Sequence, residues 1–215
     1  MFNSKVISPL LFAGCLALSN AAHAAVTTIY DFGTLLTAST GYTAPNSFST
    51  NPFAQLQATD NGGGAWSFML TLNNNFSSSF GSNAFIGSMS YDFTPDPSAS
   101  IPPTTFVSSN AGGVTSVSGT NGTGLSGLSD IDFGTSFGQG SGNRLAQNDW
   151  VQWTVSGLGS SSLTNMYVHV QGIEGDYSAK YTPVISVIPE PETYAMLLAG
   201  LGLLGFMTRR SLNNT

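Results

Sequence analysis

The sequence predicts an all-β domain over residues 25–186, folded as an antiparallel β-sandwich or jelly roll. Short runs rich in β-branched and aromatic residues alternate with clusters of Gly, Asn, Ser and Pro, and no long helical periodicity occurs. Parallel architectures are not expected, because they need crossover helices between their strands. A signal peptide precedes the predicted domain and a short hydrophobic helix follows it.

The amino-terminal residues 1–24 have the organisation of a secretory signal peptide. One positive charge, Lys5, precedes an apolar run of about 13 residues, Val6–Leu18, and a small-residue stretch then ends in Ala22 and Ala24. The prediction is export through the secretion translocon and cleavage after Ala24. An alternative makes Cys15 the lipid-bearing first residue of a lipoprotein. It is disfavoured because the apolar sequence continues through Leu18.

Cleavage after Ala24 would remove the chain's only cysteine together with one of its two histidines. The mature chain would then have no disulfide, no cysteine nucleophile and no thiolate metal site. A multi-histidine zinc site is excluded for the same reason, since His169 alone remains.

The strands of the predicted domain are short, and several alternate between apolar and polar residues with period two, as Val151–Val155 does. Turn and loop chemistry separates them at Asp60–Gly64, Asn73–Asn75, Pro95–Pro97 and Ser160–Ser162. The segment Ser108–Gly142 is the least patterned. It is expected to contain some strand, because unstructured loops beyond about 15 residues are uncommon. The predicted strands are Val26–Phe32, Trp66–Leu72, Ala84–Phe93, Thr104–Val107, Val151–Val155 and Met166–Gln171.

The charge balance excludes nucleic acid as a partner. Only 7% of the residues are charged, against about 25% in an average soluble protein. The sequence pI is near 4.4, so the chain lacks the basic surface that nucleic-acid binding requires. Neutral Ser, Thr and Asn side chains supply the polar surface instead.

The carboxy-terminal residues 187–215 contain three features in a fixed order: Pro189-Glu190-Pro191, an apolar segment 194–207, and the pair Arg209-Arg210. The apolar segment would be about 21 Å long as a helix, which is short against a hydrocarbon core of about 30 Å. Basic residues after it would stay on the cytoplasmic side of the inner membrane and leave the domain on the exported side.

This tail resembles the PEP-CTERM sorting signal of Gram-negative bacteria that make exopolysaccharide. The resemblance implies recognition, and cleavage, by an integral-membrane exosortase, with Pro189, Glu190, Pro191, Arg209 and Arg210 as the sorting residues. The cluster of only two arginines departs from the usual pattern. The stretch from Val168 to Lys180 also looks like the last strands of many PEP-CTERM ectodomains.

No convergent catalytic site is visible, so the chain is predicted not to be an enzyme and to need no cofactor. Nine of the eleven carboxylates are scattered over residues 25–186, and so many would always contain some pair, which makes a glycosidase-like pair uninformative. His169 lies on an alternating strand between Val168 and Val170, and this position favours a structural side chain.

The sequence contains candidate residues for two binding sites, one for a calcium ion and one for carbohydrate. Asp130 and Asp132 precede Gly134 and are candidate ligands for a structural calcium ion, because oxygen ligands suit Ca²⁺. The alternative, which such patterns more often represent, is that they cap a turn. Trp150 lies on the polar face of its strand and is the candidate for stacking on carbohydrate, while Trp153 shares the face of Val151 and Val155 and is expected in the core.

The predicted function is that of an exported surface or extracellular-matrix protein, structural or adhesive in an exopolysaccharide matrix. The alternative is a secreted carbohydrate-binding module or glycan-active enzyme.

Overall fold

The computed structural model of the chain describes residues 25–45, 48, 50–99, 101–110, 113–121, 131–140 and 142–186. Its strands are β1 Val26–Ala38, β2 Ala54–Asp60, β3 Trp66–Leu72, β4 Phe85–Thr94, β5 Thr104–Ser109, β6 Val117–Asn121, β7 Phe133–Phe137, β8 Trp150–Val155, β9 Ser162–Ile173 and β10 Tyr177–Ser186. One short helix, α1, spans Phe76–Phe80 between β3 and β4.

All ten strands belong to one antiparallel sheet, in the order β5-β8-β3-β2-β1-β10-β9-β4-β7-β6. The sheet folds over at the β1–β10 pair, so that strands far apart in this order face each other across the interior. The Phe68 ring on β3 is 5.1 Å from the Tyr91 ring on β4, and Phe137 on β7 is 5.3 Å from Trp153 on β8. The edge strands β5 and β6 also lie in contact, which nearly closes the sheet.

Period-two alternation explains the strands that line this interior. Trp66, Phe68, Leu70 and Leu72 of β3 are buried, and the residues between them are partly exposed. In β8 the same alternation buries Val151, Trp153 and Val155. Apolar side chains from both halves of the folded sheet therefore form one core, and its burial is the main source of stability.

The structure confirms the predicted all-β class. The six predicted strands correspond to β1, β3, β4, β5, β8 and β9, with β3 matching residue for residue. The segment Ser108–Gly142 contains strand as expected, namely β6 and β7. Strand β2 was not predicted, and β10 was anticipated only through the resemblance of the stretch Val168 to Lys180 to the last strands of other ectodomains. The stretch from Val168 to Lys180 forms a hairpin of β9 and β10, with Ile173 opposite Tyr177.

Candidate functional site

The two ends of the described domain lie on neighbouring strands. β1 begins at Val26 and β10 ends at Ser186, and Ile29 is the partner of Ser186 in the antiparallel β1–β10 ladder. Three residues of strand separate that position from Val26, a distance of about 10 Å. The chain therefore enters β1 and leaves β10 at the same end of the sheet.

β10 is firmly held within the sheet. It pairs with β1 on one side and β9 on the other. The fully buried Tyr181 ring lies 5.0 Å from Phe53 and 5.5 Å from Phe80, and its hydroxyl donates a hydrogen bond to the Pro45 carbonyl at 3.1 Å. Burial raises the pKa of Tyr181, so this hydroxyl remains a donor. The last described strand is therefore anchored on both sides and through a buried side chain.

The predicted processing residues lie outside the described residues. They are Ala22 and Ala24 at the signal-peptide end, and Pro189, Glu190, Pro191, Arg209 and Arg210 at the tail. The predicted membrane segment 194–207 also lies outside them. Within the described ranges, no helix combines the length and the apolar character needed to cross a membrane.

Asp130 lies outside the described residues, whereas Asp132 precedes β7 and is partly exposed. An Asp132 carboxylate oxygen accepts the Phe93 backbone N–H at 2.6 Å, and the Asp132 N–H donates to the Tyr91 carbonyl at 3.0 Å. The Asp132 carboxylate thus links the residue that precedes β7 to the backbone of β4 by a hydrogen bond. In the part of the chain that the structure describes, no three His, Cys, Asp or Glu residues are grouped to hold a metal ion. A calcium ion at Asp130 and Asp132 stays a prediction.

The three tryptophans do not form a shared platform. Trp153 is fully buried, as its face predicted, and Trp66 is 8% exposed and packs edge-on against Phe93 at 5.5 Å. Trp150 is partly exposed at the start of β8, where its backbone N–H donates to the Asn110 side-chain oxygen at 3.1 Å. A carbohydrate-stacking role for Trp150 stays a prediction.

His169 is partly buried on the outer face of β9, opposite Ser88 of β4 and Lys180 of β10. Burial, and secondarily the positive charge of Lys180, lowers the pKa of His169 to about 4. Such an imidazole is neutral at pH 7 and a weak base. It is therefore poorly suited to general-base catalysis, which is most efficient when the pKa of the base lies near the working pH. This environment fits the structural role expected from the strand pattern.

A polar cleft of about 470 Å³ lies beside the β9–β10 hairpin. Three segments distant in sequence form it: the α1–β4 turn, the hairpin and the segment before β8. It is lined by Gly81, Ser82, Asn83, Phe85, Arg144, Gly172, Ile173, Glu174, Gly175 and Asp176. No spacing pattern in the sequence joins these segments, so the cleft could not be predicted from the sequence. The scarcity of basic residues is the one sequence signal by which Arg144 could have been found.

An all-β exported domain followed at once by a terminal sorting signal defines the class of this protein. The family comparison identifies that signal: the chain carries the PEP-CTERM protein-sorting motif at residues 187–211, beginning one residue after β10 ends. The motif marks an exosortase-sorted, exported protein associated with the envelope or the surface. No curated protein and no solved structure matches the chain.

Proposed function

We propose that this protein is a non-catalytic component of an exopolysaccharide matrix, with a structural or adhesive role after exosortase processing. The observation that carries the proposal is the sorting motif placed directly after the last strand of an all-β domain. In this scheme the signal peptide delivers the chain to the translocon, and the tail holds it at the inner membrane until the exosortase acts.

The surface chemistry of the domain supports this role. Its polar surface is largely uncharged, so it can form hydrogen bonds with sugar hydroxyls without depending on ionic strength. The lowered pKa of His169 beside Lys180 argues against serine–histidine hydrolysis, and no cofactor is proposed.

A carbohydrate-binding module is the second candidate function. The polar cleft beside the β9–β10 hairpin favours it, because concave sites with a few convergent polar groups are the usual form of small-molecule sites. Binding and a matrix role are compatible, since an adhesive protein needs a surface that holds its polymer.

The localisation test is deletion of residues 189–215. We expect the full chain in the envelope or at the surface and the deletion variant free in the periplasm or medium, as measured by fractionation and immunoblotting. Intact mass of the surface form should show loss of residues 1–24. A second variant replaces Arg209 and Arg210 by Lys. We expect it to keep the location of the full chain, because the positive charge after the apolar segment is retained. An unchanged location after the deletion would refute the sorting role.

A further inference from the structure

Basic residues are scarce in this domain, and one of them lines the polar cleft. The chain has five basic residues, of which Arg144 and Lys180 fall between residues 25 and 186. Arg144 lies at the cleft beside the β9–β10 hairpin, together with Glu174 and Asp176. A domain that otherwise avoids charge thus places one cation and two carboxylates around a single concavity.

The Arg144 side chain is held in position before any ligand arrives. Its guanidinium carbon lies 4.4 Å above the centre of the buried Phe85 ring, and its Nε donates to the Gln139 carbonyl at 2.8 Å. Within the described residues, its two terminal nitrogens have no protein acceptor. A fixed guanidinium with free donors loses little side-chain entropy on binding.

The turn of the β9–β10 hairpin, which carries Glu174 and Asp176, forms another part of the cleft lining. Asp176 has a φ of 62° and Gly175 a φ of 89°, so the turn has a defined left-handed backbone. Both acidic side chains are exposed, and neither carboxylate has a hydrogen-bond partner among the residues that the structure describes. These acceptors therefore remain available to a ligand.

Gly172 lines the cleft where the hairpin meets the α1–β4 turn. A Cβ at Gly172 would lie 2.7 Å from the Asn83 carbonyl oxygen and 3.0 Å from the Phe85 ring. The hairpin and the α1–β4 turn therefore pack closely at this point, and a larger residue would separate them. Close packing gives the cleft a fixed shape.

The mixture of charges selects the class of ligand. A polyanion would meet the carboxylates of Glu174 and Asp176, and a bare cation would meet the guanidinium of Arg144. A neutral polyhydroxyl ligand avoids both repulsions, since each sugar hydroxyl can donate to a carboxylate and accept from the guanidinium. We infer that this cleft binds neutral sugar residues of a polysaccharide. The inference deepens the proposed matrix function and rests on it, because export brings the domain to the polymer.

The test uses the full chain and polysaccharide released from the producing cells, separated by anion exchange into a neutral and an acidic pool. We expect the immobilised protein to retain the neutral pool. The double variant Glu174→Gln/Asp176→Asn should weaken this retention about tenfold or more, since hydrogen bonds to charged groups are the strong ones. The variant should also gain affinity for the acidic pool, because Arg144 is then unopposed.

These substitutions should not disturb folding, since Gln is nearly isosteric with Glu and Asn tolerates positive φ as well as Asp does. Equal thermal unfolding midpoints of variant and wild type verify this. The matched control is Asp96→Asn, which removes an exposed carboxylate in the loop after β4, outside the cleft lining, and should leave retention unchanged.

Three results would overturn the inference: retention of neither pool, retention of the acidic pool alone, or retention of the neutral pool with equal strength by wild type and double variant. The third result would place binding elsewhere, and loss of retention in Trp150→Ala would then identify the site. All three leave surface localisation untouched, so failure of the cleft and failure of the sorting role can be distinguished.

Discussion

Gly64 and Gly159 show how a single residue type permits two turns to pack together. A Cβ on Gly64 would lie 2.3 Å from the Gly159 backbone nitrogen, and Gly64 has a φ of +77°. The Leu158 N–H also donates to the Gly64 carbonyl at 3.0 Å. The β2–β3 turn therefore contacts the segment between β8 and β9 without any intervening side chain.

We expect Gly64→Ala to lower the free energy of unfolding by about 2 kcal/mol or more, because it adds both a steric clash and a disfavoured φ. Gly63→Ala is the matched control: its φ is +64°, but no atom lies within 4 Å of the added Cβ, so a cost of about 1 kcal/mol is expected. Urea denaturation measures both. Equal costs would show that the close contact is unimportant.

His169 should make stability depend on pH in a defined window. Its pKa is about 4 in the folded protein and 6.5 ordinarily, so between these values the unfolded chain binds a proton that the native chain does not. The free energy of unfolding should thus fall as the pH is lowered from about 7 towards 4. The imidazole is partly exposed, and solvent screening reduces the expected loss to about 1–2 kcal/mol.

His169→Gln should remove this contribution. The measurement compares urea denaturation of wild type and variant at pH 7 and at pH 4.5, so that carboxylates common to both chains cancel. The stability difference between the two proteins should change by about 1 kcal/mol in favour of the variant at the lower pH. A difference that is the same at both pH values would show that His169 is not protected from protonation.

Among the elements, α1 exists because of its tertiary contacts. A five-residue helix is not stable alone, and this one presents Phe76 and Phe80, four residues apart, to the core. The Phe80 ring lies 5.0 Å from Phe53 and 5.5 Å from Tyr181. The helix therefore covers the aromatic cluster that anchors β10.

Phe80→Ala should lower the free energy of unfolding by about 3–5 kcal/mol, since it leaves a cavity in a packed aromatic cluster. Ser78→Ala on the exposed side of α1 is the control and should cost less than about 1 kcal/mol, because its hydroxyl donates a solvent-exposed hydrogen bond to the Asn75 carbonyl. Thermal or urea denaturation distinguishes the two. A small effect of Phe80→Ala would mean that α1 is dispensable to the fold.

Strands are predicted best from the sequence where one face of the strand is buried and the other is exposed to solvent. β3 and β8 alternate strictly between buried and partly exposed residues, and the sequence predicts both strands. β7 is short and rich in Gly, Thr and Ser, and Thr135 is fully buried, so no apolar alternation distinguishes it. β10 contains Pro183, which normally argues against an interior strand, yet here it lies opposite Phe32 beside a bulge in β1.

The two functional features, the sorting tail and the polar cleft, also differ in how far the sequence predicts them. The sorting tail is a linear signal, and its three parts in order sufficed to predict it. The polar cleft is assembled by tertiary packing from three separate segments, so its residues share no spacing. Local patterns report local structure, whereas a site built across loops becomes visible only when the strands that hold the loops are placed.

The adjacent ends of β1 and β10 imply that the nearly closed sheet does not depend on the point at which the chain enters it. Val26 and Ser186 are separated by about three residues of strand, roughly 10 Å. A linker of about five Gly and Ser residues spans this distance without strain. The exposed loop Pro95–Pro97 after β4 offers a site for new termini outside every strand pairing.

We therefore expect a circular permutant that joins residue 186 to residue 26 and opens at Asp96 to fold with the same β-rich circular dichroism and one cooperative transition. Its control opens the same linked chain between Tyr181 and Thr182, which divides the central strand β10 and separates Tyr181 from the rest of its ladder. That control should lose the cooperative transition. If both permutants fail to fold, the start of β1 and the end of β10 are not neighbours as the β1–β10 register requires. If both fold, β10 does not anchor the tail, and a pull by the sorting machinery would meet no rigid strand.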